Sequence, residues 1–298
     1  MDAGRIAAGV LLPMVCWCGV QVMGEDKPMN AADVVALPRP AADYRLPYGE
    51  DPLQFGELRL PVGEGPFAVV MVIHGGCWLA EYDLGYMSAF ADALSDSGLA
   101  TWSIEYRRVG NPGGGWPGTF QDVAKALDYL REIAPDHDLD VARVAVVGHS
   151  AGAHLALWLG GRGSLDCGDP LRGHNPVAVN GVIALAGISD LAAYDAPDGC
   201  GSAVPGLLGG VPAEMPERLR RASPIEMLPF GIKVTMVTGE FDSIVPASQA
   251  RDFVEAARDR GETVNTIEIA GAGHFELVDP ANSAFGAIRE AVRKAVER

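Results

Sequence analysis

Residues 143–160 read RVAVVGHSAGAHLALWLG, and the reading of this stretch decides the fold. Residues 144–147 form a continuous, β-branched-rich apolar run, as in a strand buried on both faces of a parallel sheet. Past Ser150 the chain becomes rich in Ala and Leu, which favour helix. A strand that reverses sharply into a helix forces the residue at the turn into a strained backbone conformation, and Gly148 and Gly152 leave room for it. Ser150 then stands clear of the sheet at the positive end of a helix, where developing negative charge is stabilised. Such a serine can also be a plain helix cap. The strand, the Gly-x-Ser-x-Gly turn and the helix together favour a nucleophile.

Around this core the sequence alternates strand and helix. ELRLP (57–61) and FAVVMVI (67–73) read as strands, MSAFADALSDSG (87–98) as a helix, LATWSIEY (99–106) as a strand and TFQDVAKALDYLREI (119–133) as an amphipathic helix. Later strands are GVIALAG (181–187), KVTMVTG (233–239) and TVNTIEIA (263–270), with helices over 247–261 and 281–297. The alternation predicts an α/β fold with a mostly parallel, twisted sheet covered by helices on both faces. Sites in such sheets lie beyond the carboxyl ends of the strands.

A serine nucleophile needs a base, and the base needs an orienting acid. His274 follows a strand in the glycine-rich loop GAGHFELVD, which lets the imidazole swing toward Ser150. His149 is placed facing the core, and His137 and His174 sit in polar loops. Asp242 leaves the strand KVTMVTG in GEFDSIVP, with Glu240 its neighbour and Asp190, in GISDL, a third carboxylate at a strand end that reads as a loop organiser. The order Ser150, Asp242, His274 matches that of α/β-hydrolases. Oxyanion donors are expected from the strand that runs into His-Gly-Gly: the N–H groups of Gly76 and Cys77, with that of Ala151 after the nucleophile, while His74 and Gly75 support the loop.

The motifs HGGCW, EYRRVG, GGGWPGTFQD, GHSAG, ASPIEML, GEFDSIVP and GAGHFE occur in that order across 67–276. As a set they resemble the α/β-hydrolases with a His-Gly-Gly-x-Trp oxyanion loop, a group that includes bacterial carboxylesterases, bifunctional feruloyl and acetylxylan esterases, and kynurenine formamidase. The resemblance implies a serine esterase that needs no cofactor, with a cap inserted over 187–230. Cys77 replaces the third glycine of the hormone-sensitive-lipase-like relatives, which points to the esterase and formamidase branch. The cap has no long amphipathic helix to shield a lipid site, and Trp78, Trp116 and Tyr194 are candidates for a small aromatic pocket. Short-chain or aryl carboxylic esters are the expected substrates. Formamide hydrolysis is the alternative, and a non-catalytic binding protein on the same fold the more distant one.

The 298 residues and 48% hydrophobic content suit a large α/β domain, here placed over 52–298. A net charge of −16 argues against a nucleic-acid partner, which needs a basic face. No Cys or His spacing suits a metal. Residues 1–24 contain a short apolar stretch after Arg5 and end in Val-Met-Gly, which reads as a cleavable signal peptide and an exported protein, with a cytoplasmic enzyme as the alternative. Stable membrane insertion is not expected, because the stretch is too short for a comfortable span. Residues 25–51, rich in Pro, Ala and Asp, read as an extended arm. If the chain is exported, Cys167 and Cys200, both in polar glycine-rich stretches, are the expected disulfide. The oligomeric state is not legible.

Overall fold

A computed structural model describes residues 1, 28–194, 196 and 199–297. Its centre is an eight-stranded sheet of order β1-β2-β4-β3-β5-β6-β7-β8. The strands are β1 (Tyr44–Pro47), β2 (Phe55–Arg59), β3 (Phe67–Ile73), β4 (Ala100–Ile104), β5 (Leu139–His149), β6 (Gly181–Leu185), β7 (Lys233–Gly239) and β8 (Val264–Ile269). β1 and β2 pair antiparallel, as do β2 and β4, and every other neighbouring pair is parallel. This is the mostly parallel sheet expected from the alternation of strands and helices, and the α/β-hydrolase fold that the resemblance of the motifs implies.

The apolar runs are buried for the reason the sequence suggests. Six of the seven residues of β3 are buried, as are all five of β6, because each strand is covered on both faces. The helices are α1 (Ala31–Val35), α2 (Ser88–Asp96), α3 (Gly118–Ile133), α4 (Ala151–Gly161), α5 (Val204–Leu208), α6 (Pro216–Ala222), α7 (Ser248–Asp259) and α8 (Ala284–Val296). α4 and α8 both pack on β3, β5 and β6, which places them on opposite faces of the sheet. Phe120 of α3 meets Trp158 of α4 edge-on, and Phe90 of α2 meets Phe285 of α8 in the same way, so each face carries a helix pair. Full burial of each such side chain is worth about 1.5–3 kcal/mol.

The order of the strands brings the loops of the site together. Ile73 lies opposite Gly148, so the loop after β3 and the turn after β5 emerge side by side, and Gly239 opposite Ile269 does the same for the loops after β7 and β8. The segment 187–230, between β6 and β7, holds α5 and α6 among irregular turns.

Residues 25–51 are not simply an arm: Tyr44–Pro47 forms the edge strand of the sheet, and Asn30 caps α1 by accepting from the amides of Ala32 and Asp33. Short polar elements of this kind carry little periodicity, so pairing with β2 and capping decide them. The signal-peptide reading falls almost wholly on residues outside those described. No helix among the described residues is long and apolar enough to cross a membrane.

Candidate active site

Ser150 sits between β5 and α4 with φ 55° and ψ −122°, the strained conformation the sequence calls for. The neighbouring glycines are obligatory. A Cβ on Gly148 would lie 2.2 Å from the carbonyl oxygen of Gly152, and one on Gly152 would lie 2.2 Å from that of Ile73. Ser150 N–H donates to Leu185 O at 2.8 Å, which ties the turn to the next strand. Ala151 opens α4, where the first amides have no acceptor within the helix.

His274 is buried in the loop after β8, and its Nδ1 lies 2.8 Å from Asp242 Oδ2. The other oxygen of Asp242 accepts from the amides of Ile244 and Val245 at 2.8 and 2.9 Å. Burial pushes this carboxyl up, but the His274 hydrogen bond and charge, with the two amides, outweigh it and hold Asp242 below the usual carboxylate range. The competing carboxylates are engaged elsewhere. Glu240 accepts from Gly271 N–H, and Asp190 accepts from the amides of Ala192 and Ala193 near the start of the segment 187–230. Ser150 and His274 line one pocket, with no hydrogen bond between them.

His149 lies beneath His274. Its ring centroid is 4.5 Å from that of His274, its Nε2–H donates to His274 O at 2.9 Å, and its Nδ1 accepts from Tyr86 OH at 2.5 Å. Burial first, then repulsion from His274, pushes His149 well below the ordinary histidine range, so it stays neutral. The sequence places His149 toward the core without anticipating this bond to the loop after β8.

The loop after β3 coils through three successive residues with positive φ: Gly76 at 101°, Cys77 at 54° and Trp78 at 57°. For the two non-glycine residues this costs roughly 1–2 kcal/mol each. Such strain persists only where the surroundings over-determine it, and it gathers at functional sites. His74 anchors the loop from below, its Nε2 lying 3.2 Å from Glu105 Oε1 and its Nδ1 2.8 Å from Gly75 O. Glu105 also accepts from the amides of Tyr106 and Leu84 and pairs with Arg108 at 2.8 Å. Burial raises the Glu105 carboxyl, but His74, Arg108 and the Tyr106 amide together leave it below its ordinary value. Glu105 and Arg108 come from EYRRVG; nothing in that motif alone shows that its glutamate supports the loop after β3.

The sequence reading of the cysteines is corrected. The disulfide joins Cys77 to Cys200, with Cα atoms 4.9 Å apart, and Cys167 is an exposed free thiol. Cys167 follows the far end of α4, with its Sγ beside Arg172, whereas Cys200 is buried against the loop after β3. Closing a sequence separation of 123 residues contributes up to about 5 kcal/mol in the chain-entropy account.

A pocket of about 300 Å³ opens over Ser150. Gly76, Cys77, Cys200, His274 and the side chains of Tyr82, Tyr86, Ile244 and Phe275 wall it. The three aromatic residues expected there are elsewhere. Trp78 is fully buried, donating from Nε1 to His154 Nδ1; Trp116 packs against Phe120 with Arg221 over its ring; and Tyr194 spends its hydroxyl on Ile244 O and the Cys200 amide. No group of three or more potential metal ligands occurs among the described residues.

Comparison with known proteins agrees with this architecture. Esterase LipC of Mycobacterium tuberculosis is 30% identical over 256 residues, covering 80% of this chain and 61% of LipC. Esterase LipQ of the same organism is 29% identical over 230 residues, covering 72% of this chain and 52% of LipQ. The chain thus spans between half and three-fifths of these relatives. Among solved structures, a bifunctional GH43-CE protein of Bacteroides eggerthii is 26% identical with a TM-score of 0.72, matching 85% of this chain and 38% of that one. Esterase B of Lactobacillus rhamnosis shares the fold at 18% identity and a TM-score of 0.71, over 84% of this chain and 83% of the esterase. The BD-FAE family matches residues 58–257, and the chain belongs to that family, within the α/β-hydrolase carboxylesterase group.

Proposed function

We propose that the protein is a serine hydrolase of small carboxylic esters, working through an acyl-enzyme. The observation that carries this reading is the meeting of Ser150, on its strained turn, with the hydrogen-bonded pair His274 and Asp242 and the coiled Gly76–Cys77 backbone around one pocket. His274 Nε2 takes the proton of Ser150 as Oγ attacks the ester carbonyl, and Asp242 holds the imidazole in the tautomer with a proton on Nδ1. The N–H groups of Gly76, Cys77 and Ala151 receive the oxyanion, a contribution of about 3 kcal/mol per donor. His274 then protonates the leaving alcohol, and water, activated by the same imidazole, resolves the acyl-enzyme.

The pocket supports a short acyl or aryl group. Tyr82, Tyr86, Ile244 and Phe275 give it an apolar and aromatic wall with no cationic side chain, and about 300 Å³ is small for a long chain. Work in an oxidising compartment is part of the proposal, supported by the Cys77–Cys200 bridge.

Kinetics of the purified enzyme test the substrate class, using p-nitrophenyl acetate through octanoate, methyl ferulate, acetylated xylan and N-formylkynurenine. The expected result is kcat/KM highest for acetyl, propionyl or aryl esters and lost in Ser150→Ala. A kcat/KM for the formamide more than about tenfold above the best ester, equivalent to about 1.4 kcal/mol, overturns the ester assignment. A preference for octanoate overturns the short-acyl reading.

A further inference from the structure

We propose that the Cys77–Cys200 disulfide is the positioning clamp of the oxyanion loop, so that turnover rather than substrate binding depends on its integrity; the proposal rests on the esterase reading above. It begins with where the bridge ends. Cys77 has φ 54° between two further residues of positive φ, a conformation that relaxes unless side chains hold it. On one side of it His74 is held by Glu105, and on the other Trp78 is held through its indole by His154. Cys77 itself is held through sulfur.

The far end of the bridge is anchored to the rest of the site. Cys200 is buried, and its N–H donates to the Tyr194 oxygen at 3.0 Å. Tyr194 OH donates to Ile244 O at 3.0 Å, and Ile244 N–H donates to Asp242 Oδ1 at 2.8 Å. One covalent bond and three hydrogen bonds therefore run from the oxyanion loop to the triad carboxylate. A staple serving stability alone has no need to sit here. Both cysteines instead line the pocket beside Ser150 and His274, so cutting the bridge frees a donor of the oxyanion loop and slackens the acid loop together.

The experiment uses the full-length oxidised protein, reduced under native conditions with dithiothreitol. The S–S bond breaks, two thiols form, and dithiothreitol is oxidised to its cyclic disulfide. Peptide mass spectrometry after alkylation verifies that Cys77 and Cys200 are free. The expected result is a fall of about ten- to a hundredfold in kcat for p-nitrophenyl acetate, the scale of an ångström-level misplacement, with KM within twofold. Amide hydrogen exchange should rise at residues 76–78 and 199–201, and reoxidation should restore both readouts. The Cys77→Ser/Cys200→Ser double variant, which keeps the residue-77 amide, should match the reduced enzyme and ignore dithiothreitol. Tyr194→Phe should lower kcat in the bridged protein and add little in the double variant.

Unchanged kcat with both cysteines alkylated, a change confined to KM, or unchanged exchange at 76–78 overturns the clamp. Failure of the oxidised enzyme to hydrolyse any ester overturns the esterase reading instead, and the exchange measurement still judges the clamp. Reduction of the folded wild-type protein needs no variant to fold.

Discussion

Gly76→Ala is the sharpest test of the oxyanion loop, because two glycines with nearly the same steric overlap should give opposite results. A Cβ on Gly76 would lie 2.4–2.5 Å from Cγ, Cβ and Cδ2 of Tyr82, at a φ of 101° that L side chains rarely adopt. Real Cβ contacts essentially never fall below 3.0 Å, so something must move by about half an ångström. The root of the Tyr82 side chain is fixed to its own backbone, which leaves the Gly76 loop to shift. Oxyanion donors act over about 2.7–3.1 Å, and loss of one costs about 10²–10³ in kcat, or about 2.7–4 kcal/mol. Gly85→Ala is the control: its Cβ would lie 2.3 Å from Nη1 of Arg39, the far end of a flexible side chain that swings aside.

The assay is the burst and steady state of p-nitrophenol release from p-nitrophenyl acetate, with active-site titration and urea unfolding in parallel. Gly76→Ala should lower acylation and kcat by about 10²–10³ with little change in KM, and lose about 1–3 kcal/mol of stability from overpacking. Gly85→Ala should keep kcat. A Gly76→Ala enzyme that turns over within about threefold of wild type, with all its sites titratable, refutes the oxyanion assignment.

Three further outcomes are expected. Asp242→Asn should cut kcat by about 10⁴ while leaving the protein folded, since the amide no longer enforces the right His274 tautomer; an intact Asp242→Asn beside an inactive Glu240→Gln or Asp190→Asn would move the acid elsewhere. Burial first, offset in part by the bond to Ala222 O, pushes His154 down to about 4 from 6.5. The unfolded chain then binds this proton below pH 6.5 and the folded protein does not, so stability should fall by about 3 kcal/mol between pH 6.5 and 4, and His154→Gln should flatten that part of the profile in denaturant titrations. Gly286 lies within α8 with open space where a Cβ would go, so Gly286→Ala should stabilise by about 0.5–1 kcal/mol, read as a rise of about 1–3 °C in Tm; a fall would mean that the helix end is already strained.

The central strands and the strained turn at Ser150 were legible because both follow from local chemistry. FAVVMVI can satisfy its burial only inside a covered sheet, and Gly-His-Ser-Ala-Gly can turn only where Cβ atoms are absent. The edge was harder to read. Tyr44–Pro47 is short and three of its four residues are exposed, so its pairing with β2, and not its pattern, makes it a strand. The pocket wall was misread for a related reason. Trp78 and Trp116 are large and lie within the motifs HGGCW and GGGWPGTFQD, but packing against His154 and Phe120 decides where they point; Tyr82 and Tyr86 reach the pocket from a segment that carries no motif of its own, and Phe275 reaches it from beside His274. The disulfide failed for a topological reason. Cys77 and Cys200 meet only because the segment between β6 and β7 reaches the loop after β3, a contact no local spacing encodes.

Charge around the reacting atoms follows a consistent rule. The proposed chemistry makes His274 transiently cationic, so its neighbours must favour that state without competing for the proton. Asp242 does the first, its burial penalty outweighed by His274 and two amides. His149 does the second. A protonated imidazole 4.5 Å from His274 would repel the imidazolium, but burial keeps His149 neutral, and its Nε2–H serves only to hold the His274 carbonyl. Glu105 extends the rule to the other half of the site. Its negative charge is taken up by His74, Arg108 and two amides beneath the loop, so it braces the loop without opposing the oxyanion proposed to form there. Asp242, His149 and Glu105 are thus each paired so that they hold one of the site's loops, and the charges left to face the proposed acyl transfer are those of His274 and Asp242.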